Sequence, residues 1–252
     1  MLDTPRFRSG ALPFLTLCLV GFLLPPPPPL AAQAPTHVEG TEAEAPEGRA
    51  FLMLGVQRFD VDDLNDRLRA SGYPAFSTSV LTVGAGGMGV HGGFLLGGEG
   101  HGLLGPEEST ADGAFRTRIG GGYGMLTLGR DLFPDHPGSL YPLIGLGAGA
   151  MTLRIDERGA PTFEELLEDP RRSVEISRVS FLLMGALGGD YLLGVGSAGP
   201  DGAGVAVGLR IGYVAALGHR SWSSEVGRVA GGPDLSPSGP FLRFQVGGGT
   251  PP

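Results

Sequence analysis

The chain has no lysine; all 18 of its basic residues are arginine. A phosphate-cradling loop of the G-x-x-x-x-G-K-[ST] kind needs that lysine to reach its phosphates, so this class of nucleotide chemistry is excluded. Cysteine is nearly missing as well. Cys18 stands by itself, which rules out a disulfide framework and a thiolate-built zinc site. Charge is sparse, at 17% of 252 residues, and its balance of −8 argues against a nucleic-acid partner. No Ser elbow of the GxSxG form occurs. Three stretches match or nearly match GxGxxG, at 84–89, 145–150 and 194–199, but Gly-rich strand or turn surrounds each, where a dinucleotide site needs a strand before and a helix after. What abounds is glycine, with 46 residues at roughly 2.5 times the usual share.

Residues 1–34 read as an export signal. Arg6 and Arg8 precede the uncharged stretch 11–24, a five-proline run follows, and Ala32-Gln33-Ala34 forms a small-x-small pattern that predicts cleavage after Ala34. The apolar stretch has 14 residues, short of the ~20 that cross a bilayer as a helix. Cys18 lies inside it, so the mature chain carries no thiol, a harmless condition in an oxidising compartment. Residues 35–49, with four Glu and two Pro, read as a solvated acidic tether.

From residue 50 onward the chain is a succession of strands. Eight runs have strand character, at 50–59, 77–87, 92–104, 114–130, 139–155, 176–196, 203–217 and 239–249. Val205, Val207, Leu209, Ile211 and Tyr213 share one face of the seventh run, while Ala206, Gly208, Arg210 and Gly212 share the other. The last run sets Leu242, Phe244 and Val246 opposite Arg243, Gln245 and Gly247, and the third sets Phe94 and Leu96 opposite Glu99 and His101. A period of two belongs to a strand and not to a helix. In the fourth run Arg116 and Arg118 share parity with Leu126 and Leu128, and a bulge is expected to restore an inward aim.

Connection lengths alternate. The segments 60–76, 105–113, 156–175 and 218–238 are long and polar, whereas 88–91, 131–138 and 197–202 are shorter. Four long loops and three short turns fit an eight-stranded up-and-down meander with both ends on one side. The strands are nearly free of charge: 139–153 has none, 179–197 only Asp190, and 203–217 only Arg210. A soluble barrel needs a charged, mixed exterior that these strands cannot supply. If the apolar face meets lipid instead, the charges must point inward, because an Arg facing lipid at mid-membrane costs on the order of 2–4 kcal/mol. Eight strands leave an interior just wide enough for side chains, which accounts for much of the glycine.

This pattern of export signal, eight amphipathic Gly-rich strands and alternating loop lengths resembles the small bacterial outer-membrane barrels of the OmpA and OmpX type, over about residues 50–249. The resemblance implies an all-β, eight-stranded antiparallel transmembrane barrel in the outer membrane. It also implies outer-membrane lipid as surroundings, insertion by the barrel-insertion machinery, and a lumen plugged by paired charges. The external partner is left open.

The expected lumen network is Glu99, His101, Arg116, Arg118, Asp190, Arg210 and Arg243. It reads either as a set of satisfied pairs that keep the lumen closed or as an ion gate, and pairing is demanded of buried charge in both cases. Glu-x-His without a third ligand does not make a metal site, and no cofactor is expected. Two long loops carry helix signals: Asp62 or Asp63 before Leu64 and Leu68, with Gly72 as the stop, and the capping box Thr162 and Glu165 before Leu166 and Leu167. With Trp222 of the last loop, Leu64, Leu68, Leu166 and Leu167 are candidates for external contact, or else they pack on the rim. The reading is a non-enzymatic outer-membrane barrel with a structural, surface-contact or narrow-pore role. Its rivals are a lipid-modifying enzyme on the same barrel, such as a lipid A deacylase or acyltransferase, a soluble periplasmic ligand-binding barrel, and a bundle of Gly-rich membrane helices.

Overall fold

A computed structural model describes residues 47–133, 136, 138–157, 173–194, 204–224 and 227–249. The elements in chain order are β1 (Glu47–Arg58), α1 (Asp62–Ala70), β2 (Ser79–His91), β3 (Phe94–Ser109), β4 (Phe115–Arg130), β5 (Gly138–Glu157), β6 (Ser173–Gly194), β7 (Gly204–His219), β8 (Trp222–Ser224), β9 (Gly227–Val229) and β10 (Gly239–Gly249). Among the described residues eight long strands, β1–β7 and β10, pair antiparallel in the order β5-β4-β3-β2-β1-β10-β7-β6, and β5 pairs with β6 to close the ring. The first and last long strands meet directly, Arg49 opposite Gly249 through Gln57 opposite Phe241. The short strands β8 and β9 form a small hairpin beside β6.

The long strands run from 11 to 22 residues, against the ~9–11 that a tilted strand needs to span a bilayer. Their outward residues are apolar and bare: Leu52, Leu96, Leu126, Leu146, Ile211 and Phe244 are 70%, 68%, 74%, 61%, 59% and 49% exposed. Water would penalise such a continuous belt, whereas lipid does not. A closed antiparallel barrel with an apolar outside and polar groups within is an outer-membrane barrel, and the sequence-based alternative of a soluble barrel fails on this surface. Residues 77–98, long enough for a membrane helix, lie in the segment just before β2, in β2, the turn and the start of β3. No described helix is long and apolar enough to cross a membrane.

Strand ends fall further out than periodicity suggests. The turn expected at 88–91 is strand, and the chain reverses at Gly92-Gly93, whose φ values of 56° and 77° suit the tight two-residue hairpin that follows the right-handed twist of its strands. Thr110–Ala114 makes the second reversal, with the Asp112 carboxylate accepting from Ala114 N–H and the Thr110 hydroxyl. β1 starts at Glu47, so Glu47, Gly48 and Arg49, read as tether, are strand. The export signal and the rest of the tether lie outside the described residues.

Bulges sit elsewhere than expected. β4 alternates without interruption from Thr117 to Leu128, while register slips between Leu104 and Glu107 of β3. That slip spans Pro106, a residue that cannot donate to the ladder and is tolerated at bulges.

Inside the barrel lie two apolar clusters. Phe51, Met53, Met88, Leu95, Tyr141 and Leu143 gather toward the short-turn end. Tyr123, Met125, Met151, Met184, Val214 and Phe241 continue toward the long-loop end and join Phe59, Val61, Leu64, Leu68, Phe76, Trp222 and Leu235 from the loops. Glycine makes room for the large side chains. A Cβ on Gly188 would lie 2.7 Å from Cζ of the Tyr141 ring, far inside contact distance.

Candidate functional site: the charged centre of the barrel

Period-two parity carries the polar residues inward. Glu99 and His101 of β3 lie between glycines, Arg210 of β7 and Arg243 and Gln245 of β10 alternate with bare apolar neighbours, and all five are at most 7% exposed. Arg210 and Arg243 face each other across the β7–β10 ladder. Two guanidinium groups that close repel unless a carboxylate lies between them, and Glu99 is that carboxylate. Its Oε2 accepts from Arg210 Nη1, and its Oε1 accepts from Arg243 Nη1 at 3.2 Å and lies 3.1 Å from His101 Nε2.

Neutral groups extend the net in both directions. Arg243 Nη2 donates to the Tyr123 hydroxyl, which donates to Gln57 Oε1 at 2.9 Å, and Gln57 Nε2 donates to the Pro237 carbonyl in the last loop at 2.8 Å. Toward the turn end, Arg49 Nη1 donates to Asp190 Oδ1 at 2.7 Å and to Ser139 Oγ at 2.9 Å, and Tyr141 donates to Asp190 Oδ2 at 2.9 Å. Gln245 Nε2 donates to the Tyr141 hydroxyl at 2.8 Å. The arginines also face aromatic rings. Arg243 Cζ lies 3.6 Å from the Phe241 centroid, and Arg210 Cζ 5.4 Å from that of Phe51. The charged centre thus joins the two apolar clusters.

Five of the seven residues expected in the lumen, Glu99, His101, Asp190, Arg210 and Arg243, are within it, in two carboxylate-centred groups. Arg116 and Arg118 are not, which corrects the expectation of a bulge that turns them inward. They keep the outward parity of Leu126 and Leu128, near the loop end of β4, where both form ion pairs with Glu107. Arg154 of β5 faces Arg118 across the ladder and pairs with Asp156 at 2.9 Å. These strands outrun the lipid belt, so outward charge there meets water.

The net also holds residues that sequence reasoning missed: Arg49, Gln57, Tyr123, Tyr141 and Gln245 supply most of its donors, while Glu99 and Asp190 supply most of its acceptors. Parity carried the signal for Arg49, which is in phase with Phe51, Met53 and Gln57, but a polar acidic context masked it.

The external-contact candidates are placed differently as well. Leu64, Leu68 and Trp222 are 2%, 5% and 3% exposed. They face the barrel mouth and not the solvent, because α1 has one apolar stripe and buries it on the loop-end cluster. The N-cap of α1 is Val61, without a side-chain cap; Asp60 Oδ1 instead accepts from Asp62 N–H at 3.2 Å, and Gly72 at φ 81° follows the end. Asn65 accepts from Phe76 N–H at 2.8 Å and donates to its carbonyl at 3.0 Å, which ties helix to loop. Trp222 Nε1 donates to the Pro233 carbonyl at 2.7 Å. Asp63 Oδ2 accepts from Asp234 N–H at 2.8 Å while Oδ1 pairs with Arg67, and both hold its carboxyl below the usual range. Leu166 and Leu167 lie outside the described residues.

No protein-family model and no curated protein matches this chain. Solved structures do resemble it. Ail, the attachment invasion locus protein of Yersinia pestis, aligns over 81% of this chain and 97% of its own, at 12% identity and a TM-score of 0.43. Neisserial surface protein A aligns over 81% and 96%, at 9% identity and 0.40. A major outer membrane protein from Thermus thermophilus aligns over 80% and 98%, at 9% identity and 0.38.

Proposed function

We propose that this outer-membrane barrel is a sealed platform whose work is done at its loop end and outer wall, and not by passing solutes through its centre. The observation that carries this reading is the filled lumen: Arg210 and Arg243, the two largest fully buried side chains among the described residues, are 1% and 0% exposed and are drawn together by Glu99. Above them, α1 and the last loop seal the mouth with Leu64, Leu68, Trp222 and Leu235. An ion entering this centre would have to break a charge-assisted net that has no bulk water to replace it. Among the narrow-pore, structural and surface-contact roles, the geometry favours the last two. His101 contacts Glu99, Arg243 and the Tyr123 ring, and no serine is part of that arrangement.

The test is conductance in a planar bilayer. The purified, heat-modifiable barrel is expected to give no steady current at moderate voltage. Long-lived open levels in the wild type that vanish on Glu99→Ala would overturn the sealed reading in favour of a gate.

A further inference from the structure

Residues 231–235 of the last loop are gripped from two sides. From the wall comes Arg178 of β6, an inward-facing cation that is 5% exposed. Its Nη1 donates to the Asp234 carboxylate at 3.0 Å and to the carbonyls of Pro233 and Leu235 at 3.2 and 3.4 Å, while its Nε donates to the Arg220 carbonyl at 3.3 Å. One guanidinium thus joins both limbs of the loop. Trp222 lies beside it, with the ring centroid 6.0 Å from Cζ, and Trp222 Nε1 shares the Pro233 carbonyl. From above comes a second grip. Asp63 and Arg67 stand one helical turn apart on α1 and are bonded to each other, Nε to Oδ1, at 3.0 Å. Their other polar atoms hold the loop backbone: Asp63 Oδ2 accepts from Asp234 N–H at 2.8 Å, and Arg67 Nη1 donates to the Gly231 carbonyl at 2.6 Å. Gly231, at φ 68°, turns the chain between these contacts, and Gly232 lies against the indole, where a Cβ would come within 2.8 Å of Nε1.

The two grips meet at Asp234, whose N–H serves α1 and whose carboxylate serves β6. Beneath them Leu64, Leu68, Trp222 and Leu235 belong to one buried apolar cluster. Elements that share a gripped segment and one cluster open together, because raising either leaves the buried groups of the other without partners. We propose that residues 231–235 are a strap that makes α1 and the last loop a single lid, opening and closing as one unit over the barrel mouth, with Arg178 as its latch. This rests on the reading of the barrel as sealed at its loop end. Arg178 is a positioning residue: the hydrogen bonds given above all go to the last loop, so it acts on α1 through the strap. A contact made on the helix would therefore move the last loop as well, and what the opened lid uncovers is apolar, with Phe59, Phe76 and Val214 in the same cluster.

The experiment is amide hydrogen exchange, read by mass spectrometry on the full chain folded in detergent micelles. Arg178→Met keeps much of the bulk and deletes the latch. It is expected to speed exchange in residues 229–235 roughly tenfold, the scale of one charge-assisted hydrogen bond, and to speed exchange in α1 by the same factor. Asp63→Ala, made on the helix, is expected to speed exchange in residues 229–235. Trp222→Phe keeps an aromatic ring beside Arg178 and deletes the N–H to the Pro233 carbonyl; it serves where Arg178→Met gives no fast-migrating folded band, and is expected to move both segments by one common, smaller factor. Faster exchange in the last loop with α1 unchanged overturns the strap, as does faster exchange in α1 under Asp63→Ala with residues 229–235 unchanged. Conductance separates this proposal from the reading beneath it. Uncoupled segments in a barrel that carries no current sink the strap and leave the seal standing, whereas a steady current through the wild type sinks the seal and the lid with it.

Discussion

Removing the carboxylate at the centre of the barrel should unfold it readily. Glu99→Gln keeps the side-chain volume and deletes the charge, so Arg210 and Arg243 are left as ladder neighbours, 1% and 0% exposed, with no anion between them. Asp190 cannot substitute, since Arg49, Tyr141 and Gln245 already occupy it. Breaking a buried pair by removing one partner costs about 3–5 kcal/mol, because the surviving charge stays buried without compensation. For a chain of this size, that corresponds to a fall of roughly 6–20 °C in the unfolding midpoint. The assay is the temperature at which the fast-migrating band of unheated protein disappears, read alongside β-type dichroism in the same detergent. Adding Arg243→Met to Glu99→Gln should recover a large part of the loss, since the second change removes the stranded charge and keeps its bulk. A midpoint for Glu99→Gln within about 2 °C of wild type, with no recovery to measure, would refute the claim that Glu99 holds the two buried arginines together.

Glycine spacing can be tested by a matched pair. Gly188→Ala drives a methyl into the Tyr141 ring and should cost about 1–3 kcal/mol in the same melting assay, whereas Gly185→Ala, which faces open space on the outer wall, should change little. Leu64→Ala should destabilise the loop-end seal by about 2–4 kcal/mol and expose the helix to limited proteolysis at Arg67 or Arg69. Trp222→Ala removes the bond to the Pro233 carbonyl and the ring facing Arg178, so the last loop should be cut at Arg220 or Arg228 while β1–β7 stay intact. The tie between Asp63 and Asp234 should fail in acid. The Asp63 carboxyl is lowered in the folded state, so its contribution is present above the ordinary carboxylate range and lost as pH falls through that lowered value. Amide exchange at Asp234, corrected for intrinsic rate, should therefore be slower relative to an unstructured amide at pH 6 than at pH 3.

Parity was the most legible part of this molecule. Arg210 between Leu209 and Ile211, and Arg243 between Leu242 and Phe244, announce an inward charge on a lipid-facing strand, because every second side chain must satisfy hydrocarbon. What parity could not supply was height. Arg116 and Arg118 obey the same alternation as Leu126 and Leu128, yet they clear the belt, and only the three-dimensional length of β4 reveals it. The neutral members of the net were hidden for a different reason. Tyr123 and Tyr141 read as ordinary strand aromatics, and it is the register across β4, β5, β6 and β10 that sets their hydroxyls against Arg243, Asp190 and Gln245. The loop leucines were ambiguous by nature: an amphipathic turn over a barrel mouth shows one stripe whether that stripe meets a partner or the barrel. Here the barrel's own apolar cluster claims it.

Ring closure has a consequence for how such a chain matures. The residues that neutralise one another come from β1, β3, β6, β7 and β10, and Arg243 arrives on the final strand, which must find a first strand nearly two hundred residues upstream. Until that seam zips, Glu99 lacks one of its two cations and Tyr123 its ligand, so an unfinished sheet would present ionic groups that hydrocarbon rejects. The entropy of closing so long a loop must therefore be met before the last ion pair can form, and the completed cylinder is the arrangement in which Glu99 holds both of its cations.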